Sequence, residues 1–302
     1  MEKGHPATCE EVQTIHPLYF NIVKKRFWWF VLSLLVIIPG VISIFLQGLN
    51  LGIDFKGGTM IELTCVKPVT QTAVTDTLKS VGLDGQVQLS NGKSILIRTD
   101  ALPTDKQKEL LKALQTKVAD YDPKTLQVDE VGPSMGQELT RKAFWSLIIA
   151  TGLMIAYISF RFQFVFAISG IIALLHDLLV VVGLFSLFQW PIDSSFIAAA
   201  LTIFGYSIND TVVIFDRIRE NEGKMKRGDT YEEMVDKSVW QTMRRSVNTV
   251  VTVLIALFSV FILGGESTKV FSLAMLIGVF SGAYSSIFNA SQALVEIKTR
   301  LR

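Results

Sequence analysis

Cysteine, histidine and charge are all scarce in this chain. Two cysteines and three histidines in 302 residues exclude a disulfide framework and the clustered spacing of a zinc site. Charged residues make up 19%, against about 25% in an ordinary soluble domain. Lys and Arg together number 29 against 27 acidic residues, a balance of +2. No overall basic field is present to recruit nucleic acid. What is abundant is apolar bulk: 50% hydrophobic residues, with 20 Phe and 5 Trp, and a mean hydropathy of +0.41. A chain of this size cannot bury that much in water, so its solvent is a lipid bilayer.

An apolar run of roughly 20 residues crosses a bilayer. Six occur, at 27–46, 143–160, 165–188, 195–215, 246–263 and 270–294. The first follows Lys24-Lys25-Arg26 but is too long for a cleaved signal and lacks a small-residue cleavage site. It reads as a retained helix. Basic residues in short loops mark the cytoplasmic side. Lys3, Lys24, Lys25 and Arg26 precede the first span, and Arg217, Arg219, Lys224, Lys226, Arg227, Lys237, Arg244 and Arg245 follow the fourth. Residues 189–194 carry none, and 264–269 only Lys269. Both termini are therefore expected in the cytoplasm, with 1–26 and 295–302 as tails. The cytoplasmic loop at 217–244 reads as a solvated amphipathic helix. Cys9 and Cys65 fall on opposite sides and cannot pair, and His5, His16 and His176 do not cluster.

Residues 47–142 then form one exported insert. Alternation over 60–66 predicts a strand, 70–81 a helix ended by Gly82, and 86–89 with 94–98 a hairpin around Asn91-Gly92. A second helix over 103–119 carries Leu110, Leu111, Leu114 and Val118 on one face, and 126–131 is a last strand. Strand, helix, hairpin, helix, strand is the split βαβ, ferredoxin-like order. The insert shows no catalytic triad or nucleotide loop, and neither a catalytic residue, a metal nor a cofactor is expected anywhere in the chain.

Polar residues inside spans need a partner, a proton or a task, because a charged Asp at a helix centre costs about 2.5–3.5 kcal/mol. Asp210 lies in the fourth span and Asp177, beside His176, in the third. Thr202, Tyr206, Asn209 and Asp210 share an arc of about 100°. In the fifth span Asn248, Thr249, Thr252, Ala256 and Ser259 share a comparable arc with Arg245, which is expected to lean toward Asp210. Arg244, about 100° away, is the alternative arginine and the better candidate for lipid headgroups. The sixth span carries Gly278-x-x-x-Gly282, a close-packing signal, with Ser285, Asn289 and Gln292 on the same side. One acid, a candidate arginine counter-ion and a rim of hydroxyls and amides is the composition of a proton pathway. Interhelical hydrogen bonding is the alternative reading of the same residues.

Three motifs make the chain resemble a known family. They are Asp54-Phe-Lys-Gly-Gly-Thr59 after the first span, Val131-Gly-Pro-Ser-Met-Gly-Gln-Glu-Leu139 before the second, and residues 205–220 around Asn209-Asp210 in the fourth. In this order, beside six spans and one large insert, they resemble the SecD/SecF family of the resistance–nodulation–division superfamily. The resemblance covers about residues 18–300 and implies half of a twelve-span bundle. It further implies a partner, SecD, association with the SecYEG channel and YajC, and use of the proton motive force. The task implied is drawing a preprotein across the bacterial plasma membrane after ATP-driven insertion by SecA. On the family pattern Asp210 is the key proton-handling residue, His176-Asp177 is the usual third-span pair, and the essential arginine falls on Arg244-Arg245. Gly57-Gly58, and likewise Gly132-Pro133 and Gly136, read as hinges permitting positive φ or close backbone approach. Proton-coupled export of a small molecule or lipid is the alternative function. An intramembrane aspartyl protease lacks its Gly-x-Gly-Asp signature here, and a purely structural scaffold would leave Asp210 incidental.

Overall fold

The computed structural model describes residues 20–90, 92–226 and 228–300. The expectations placed on residues 1–17 (with Lys3, His5, Cys9 and His16), Asn91, Arg227 and Arg302 lie outside the described residues.

The elements run α1 (Arg26–Gln47), a one-turn helix (Ile53–Lys56), β1 (Gly58–Thr64), α2 (Gln71–Ser80), β2 (Gly85–Ser90), β3 (Ser94–Thr99), α3 (Thr104–Lys117) and β4 (Gln127–Val131). Then follow α4 (Pro133–Arg161), α5 (Phe164–Leu187), α6 (Ser194–Glu222), α7 (Tyr231–Leu263), α8 (Glu266–Ser285), a π-helical turn (Ser286–Ala290) and α9 (Ser291–Arg300). Among the described residues six helices are long and apolar enough to cross a membrane, the sixth being α8 continued into α9. The chain divides into two compact units, one of residues 50–146 with 191–194 and one of the remainder.

The smaller unit is an antiparallel four-stranded sheet of order β2-β3-β1-β4 with α2 and α3 on one face. That is the split βαβ order expected. Period-2 alternation sends Ile61 and Leu63 of β1 to the helix side, where they pair in register with Ile97 and Ile95 of β3. These side chains are buried with Val74 and Leu78 of α2 and Leu110 and Leu114 of α3. The connection between β2 and β3 spans 91–93, with Ser90 paired to Ser94. Gly92 there has φ +68°, a left-handed conformation that glycine adopts without steric cost. Residues 191–194 join this unit through a parallel bridge between Leu51 and Ile192.

In the larger unit α1 and α5 cross at glycines. A Cβ on Gly40 would stand 2.7 Å from the Gly183 Cα, so both backbones touch. One turn on, the Ser43 and Ser186 hydroxyls meet at 2.8 Å. Small residues plus a hydroxyl pair is how spans associate where lipid supplies no hydrophobic drive. Gly278 and Gly282 of α8 do the same against Ile203 and Ser207 of α6. On α4, by contrast, Phe144, Trp145, Leu153 and Phe160 are all exposed.

The stretch 217–244 departs from the solvated helix expected of it. Helix α6 continues to Glu222 and α7 begins at Tyr231, leaving only a short turn. Tyr231, Val235, Asp236, Val239 and Trp240 are buried. Asp236 Oδ1 accepts from the backbone N–H groups of Ile22 and Val23 at 2.8 and 3.2 Å. Trp240 donates from its indole nitrogen to the Phe20 carbonyl. The polar composition conceals an inward stripe that closes this end of the bundle.

Candidate functional site

The third, fourth, fifth and sixth spans bring two carboxylates into the interior of the larger unit. Asp177 of α5 is fully buried. Its Oδ1 accepts from Ser281 Oγ at 2.7 Å and faces His176 Nδ1 at 3.0 Å. Its Oδ2 accepts from Ser207 Oγ at 2.6 Å and Ser285 Oγ at 2.7 Å. A carboxylate offers about four acceptor sites, and all four are filled. Three hydroxyls donate to it, and the His176 Nδ1 stands at the fourth site. The imidazole stacks on Tyr284 at 5.8 Å between ring centres. The Tyr284 hydroxyl donates to the Trp29 carbonyl of α1 at 2.7 Å.

Asp210 is held differently. It is half-buried on α6, with Ser246 of α7 donating to Oδ1 at 2.6 Å and Ser286 of the π turn donating to Oδ2 at 2.5 Å. No cation bonds to it among the described residues. Tyr206, one turn earlier, is half-buried and its hydroxyl is enclosed without a partner. Asn209 and Thr202 are exposed.

The arginine expectation is corrected by this geometry. Arg244 and Arg245 are both exposed, as are Asn248, Thr249 and Thr252, and neither arginine bonds to Asp210 among the described residues. From Thr242 onward the buried positions of α7 are Thr242, Ser246 and Val250, an i, i+4, i+8 stripe. That buried stripe sets the rotation of the helix and puts Ser246, not its neighbour, against the carboxylate. The polar faces of α6 and α7 look outward from this chain.

The five serines that hold the two acids were not singled out as ligands from sequence. Their signal was present: each is a small hydroxyl on an otherwise apolar span. Ser285 was read only as part of a packing face. Neither the partners of each hydroxyl nor the π turn carries a motif.

At the glycine motifs the outcome is divided. Gly57 and Gly58 have φ of +80° and +132°, and a Cβ on Gly58 would meet the Thr99 carbonyl oxygen at 2.4 Å. A Cβ on Gly136 would stand 2.8 Å from the Phe55 carbonyl oxygen, so the two motifs pack backbone to backbone. Gly132 shows neither feature, having open space around it and no positive φ; no steric reason requires glycine there. Pro133 opens α4, the position where its missing N–H costs nothing. Asp54 Oδ2 accepts from the backbone N–H of Ser194 at 2.7 Å. On the same sheet Arg98 is largely buried among Asp193, Asp54 and Glu62, and desolvation pulls its pKa below the usual guanidinium value while the acids pull it up.

Residues 110–300 match the family described as protein export membrane protein SecD/SecF, C-terminal, and residues 42–69 match the SecD/SecF GG motif. The chain belongs to the SecD/SecF family. It is 40% identical over 277 residues to the protein translocase subunit SecF of Sebaldella termitidis, covering 90% of this chain and 89% of that one. To the SecF of Pseudomonas aeruginosa it is 36% identical, covering 91% and 90%. The crystal structure of SecDF, a translocon-associated membrane protein from Thermus, superposes with a TM-score of 0.85 at 33% identity. That match covers 93% of this chain and 39% of the other, so the chain spans about two fifths of that longer protein. The small sheet domain with six spans, and the multi-pass membrane character, are those of the family.

Proposed function

We propose that this protein translocase subunit couples a proton gradient to protein movement through Asp210. The observation that supports this reading is the contrast between the two acids. Asp177 is sealed and has every acceptor site filled; Asp210 is half-exposed and has two donors. A carboxylate with two hydroxyl donors and one side open has both partners for its charge and a route for a proton. Asp210 can therefore take and release a proton, with Tyr206 and Asn209 as polar steps beside it. Asp177 with His176 fixes the frame. One charge crossing 100 mV yields about 2.3 kcal/mol, enough to bias a conformational change.

The outward polar faces bear on the partner. Asn209 and Thr202 on α6, with Arg245, Asn248, Thr249 and Thr252 on α7, would be costly against lipid. A second six-span bundle of the SecD kind would cover them and bring its own groups to Arg245. The SecYEG channel, YajC and a preprotein in transit complete the assembly in this proposal. The chain acts there as a non-enzymatic accessory subunit in the bacterial plasma membrane, both termini cytoplasmic. Gly57, Gly58 and Gly136 serve as the pivot on which the exported domain works. Small-molecule or lipid export is not favoured, since the relatives matched are protein translocase subunits.

The test is translocation in vesicles reconstituted with channel and SecD, with and without an ionophore. Asp210→Asn is expected to remove the gradient-dependent part and leave the ATP-driven part. Retention of the gradient-dependent part in that variant overturns the proposal.

A further inference from the structure

The sixth span ends its α-helical stretch at Ser285 and opens into a π turn at Ser286. These two adjacent residues serve different acids. Ser285 donates to Asp177 Oδ2 at 2.7 Å, and Ser286 donates to Asp210 Oδ2 at 2.5 Å. Neighbours on a helix point about 100° apart, and here that divergence spans the gap between α5 and α6. Ser281, one turn before Ser285, holds the other oxygen of Asp177. The α-helical side of the junction is thus pinned twice to a sealed carboxylate. The π side is tied to Asp210 through Ser286, and to α1 through Asn289, whose amide donates to Ser33 Oγ at 2.9 Å.

A π turn is a rare single-turn departure from the α-helix that recurs at functional sites. Its position here places the π side of the junction on the half-exposed acid and the α-helical side on the buried one. Among the other titratable or charged groups of the packed elements are His176 and Asp177 on α5, Tyr206 on α6, Arg244 and Arg245 on α7 and Tyr284 on α8. None of them bonds to Asp210 among the described residues. Ser246 is the other donor, and it sits on a regular α-helix.

We propose that Ser286 is a positioning residue for proton transfer at Asp210, presented by the π turn and braced by the Ser285–Asp177 contact. This rests on the reading of Asp210 as the proton carrier. Ser286 stabilises the carboxylate while Asp210 is charged. When the proton arrives the carboxylate loses its charge, the charge-assisted bond weakens, and the π turn is free to relax about its anchor at Ser285. The sixth span then carries the protonation state of Asp210 toward α1.

The experiment measures the pH profile of gradient-dependent translocation in the reconstituted complex. Ser286→Ala is expected to move the half-maximal pH upward by about one unit, the scale of one hydrogen bond to a charged group. Ser286→Thr, which keeps the hydroxyl, is expected to restore the original profile. Ser272→Ala is the control, because the Ser272 hydroxyl bonds only its own helix, at the Thr268 carbonyl. A fall in amplitude at unchanged midpoint would make Ser286 merely structural and overturn the proposal. Should the alanine variant fail to assemble, Ser286→Cys, a weaker donor, is read for the same shift, and an unmoved midpoint overturns it equally. The two readings fail separately: a gradient-dependent Asp210→Asn removes the carrier, whereas an inactive Asp210→Asn beside an unshifted Ser286→Ala removes only the positioning role.

Discussion

Asp54 and Ser194, 140 residues apart, are joined by a 2.7 Å hydrogen bond from the Ser194 amide to the Asp54 carboxylate. Ser194 is the first residue of α6, the helix that carries Asp210. The acid of the glycine motif therefore satisfies the backbone N–H of Ser194, one of those a helix start leaves without an intrahelical partner. Its neighbours reinforce the placement: the Gly52 amide donates to the Ile192 carbonyl at 2.7 Å, and the Ile192 amide to the Asn50 carbonyl at 2.8 Å.

Replacing Asp54 by Ala is expected to cost about 1 kcal/mol, the usual worth of a lost helix cap. Asp54→Asn keeps an acceptor oxygen and should lose less than half of that. Thermal unfolding of the purified chain in detergent measures both. Equal losses in the two variants would show that charge, not acceptance, is what Asp54 supplies.

The Gly40–Gly183 crossing admits no side chain. Gly40→Val or Gly183→Val should destabilise by about 1–3 kcal/mol, as overpacking does, and should separate α1 from α5. Gly152→Ala on α4 meets nothing within 4 Å and is expected to be neutral or stabilising, since alanine favours a helix by up to about 1 kcal/mol. Melting temperatures of the three variants in one detergent rank them.

Around Asp210, serine and arginine should part company. Ser246→Ala leaves a carboxylate oxygen without its donor and is expected to cost about 1–3 kcal/mol. Arg244→Ala and Arg245→Ala, both exposed in this chain, should change its stability by less than about 0.5 kcal/mol. In the assembled complex Arg245→Ala is expected to matter. An unfolding comparison of the chain alone and with its partner bundle separates the two situations.

Cys65 is buried in the exported domain, and burial pushes its thiol pKa up. With Cys9 replaced by serine, maleimide should react slowly at neutral pH, where the thiolate is scarce. The raised folded value means the unfolded chain releases this proton first. The stability involved is full below the unfolded pKa of about 8.5 and is lost as pH rises above it. Denaturation midpoints at neutral and alkaline pH, compared with Cys65→Ala, should show a steeper decline in the native chain.

Much of this was legible beforehand. Ile61 and Leu63 alternate with Glu62 and Thr64, and alternation over a short run has one structural meaning. The long runs around Val36 or Val181 likewise admit only a buried or lipid-facing helix. Asp177 and Asp210 announced themselves because an acid on such a helix is expensive. The rotation of α7 was not legible. Its polar stripe was assumed to face the acid, but helix rotation follows the buried stripe through Thr242, Ser246 and Val250. The stripe through Arg245, Asn248, Thr249 and Thr252 is exposed instead. The π turn was equally hidden, since a hydrogen bond displaced by one residue depends on what surrounds Ser286, and no local pattern encodes it.

The scarcity of charge in the sequence therefore determined the solvent, the number of crossings and the two residues that could not be there for packing. Tertiary structure decided what each acid is worth. It gave Asp177 four partners and closed it off, and gave Asp210 two partners and left one side open. The physical reason is that solvation inside a bilayer is supplied by neighbouring helices, and only the packed bundle fixes which hydroxyls those neighbours present.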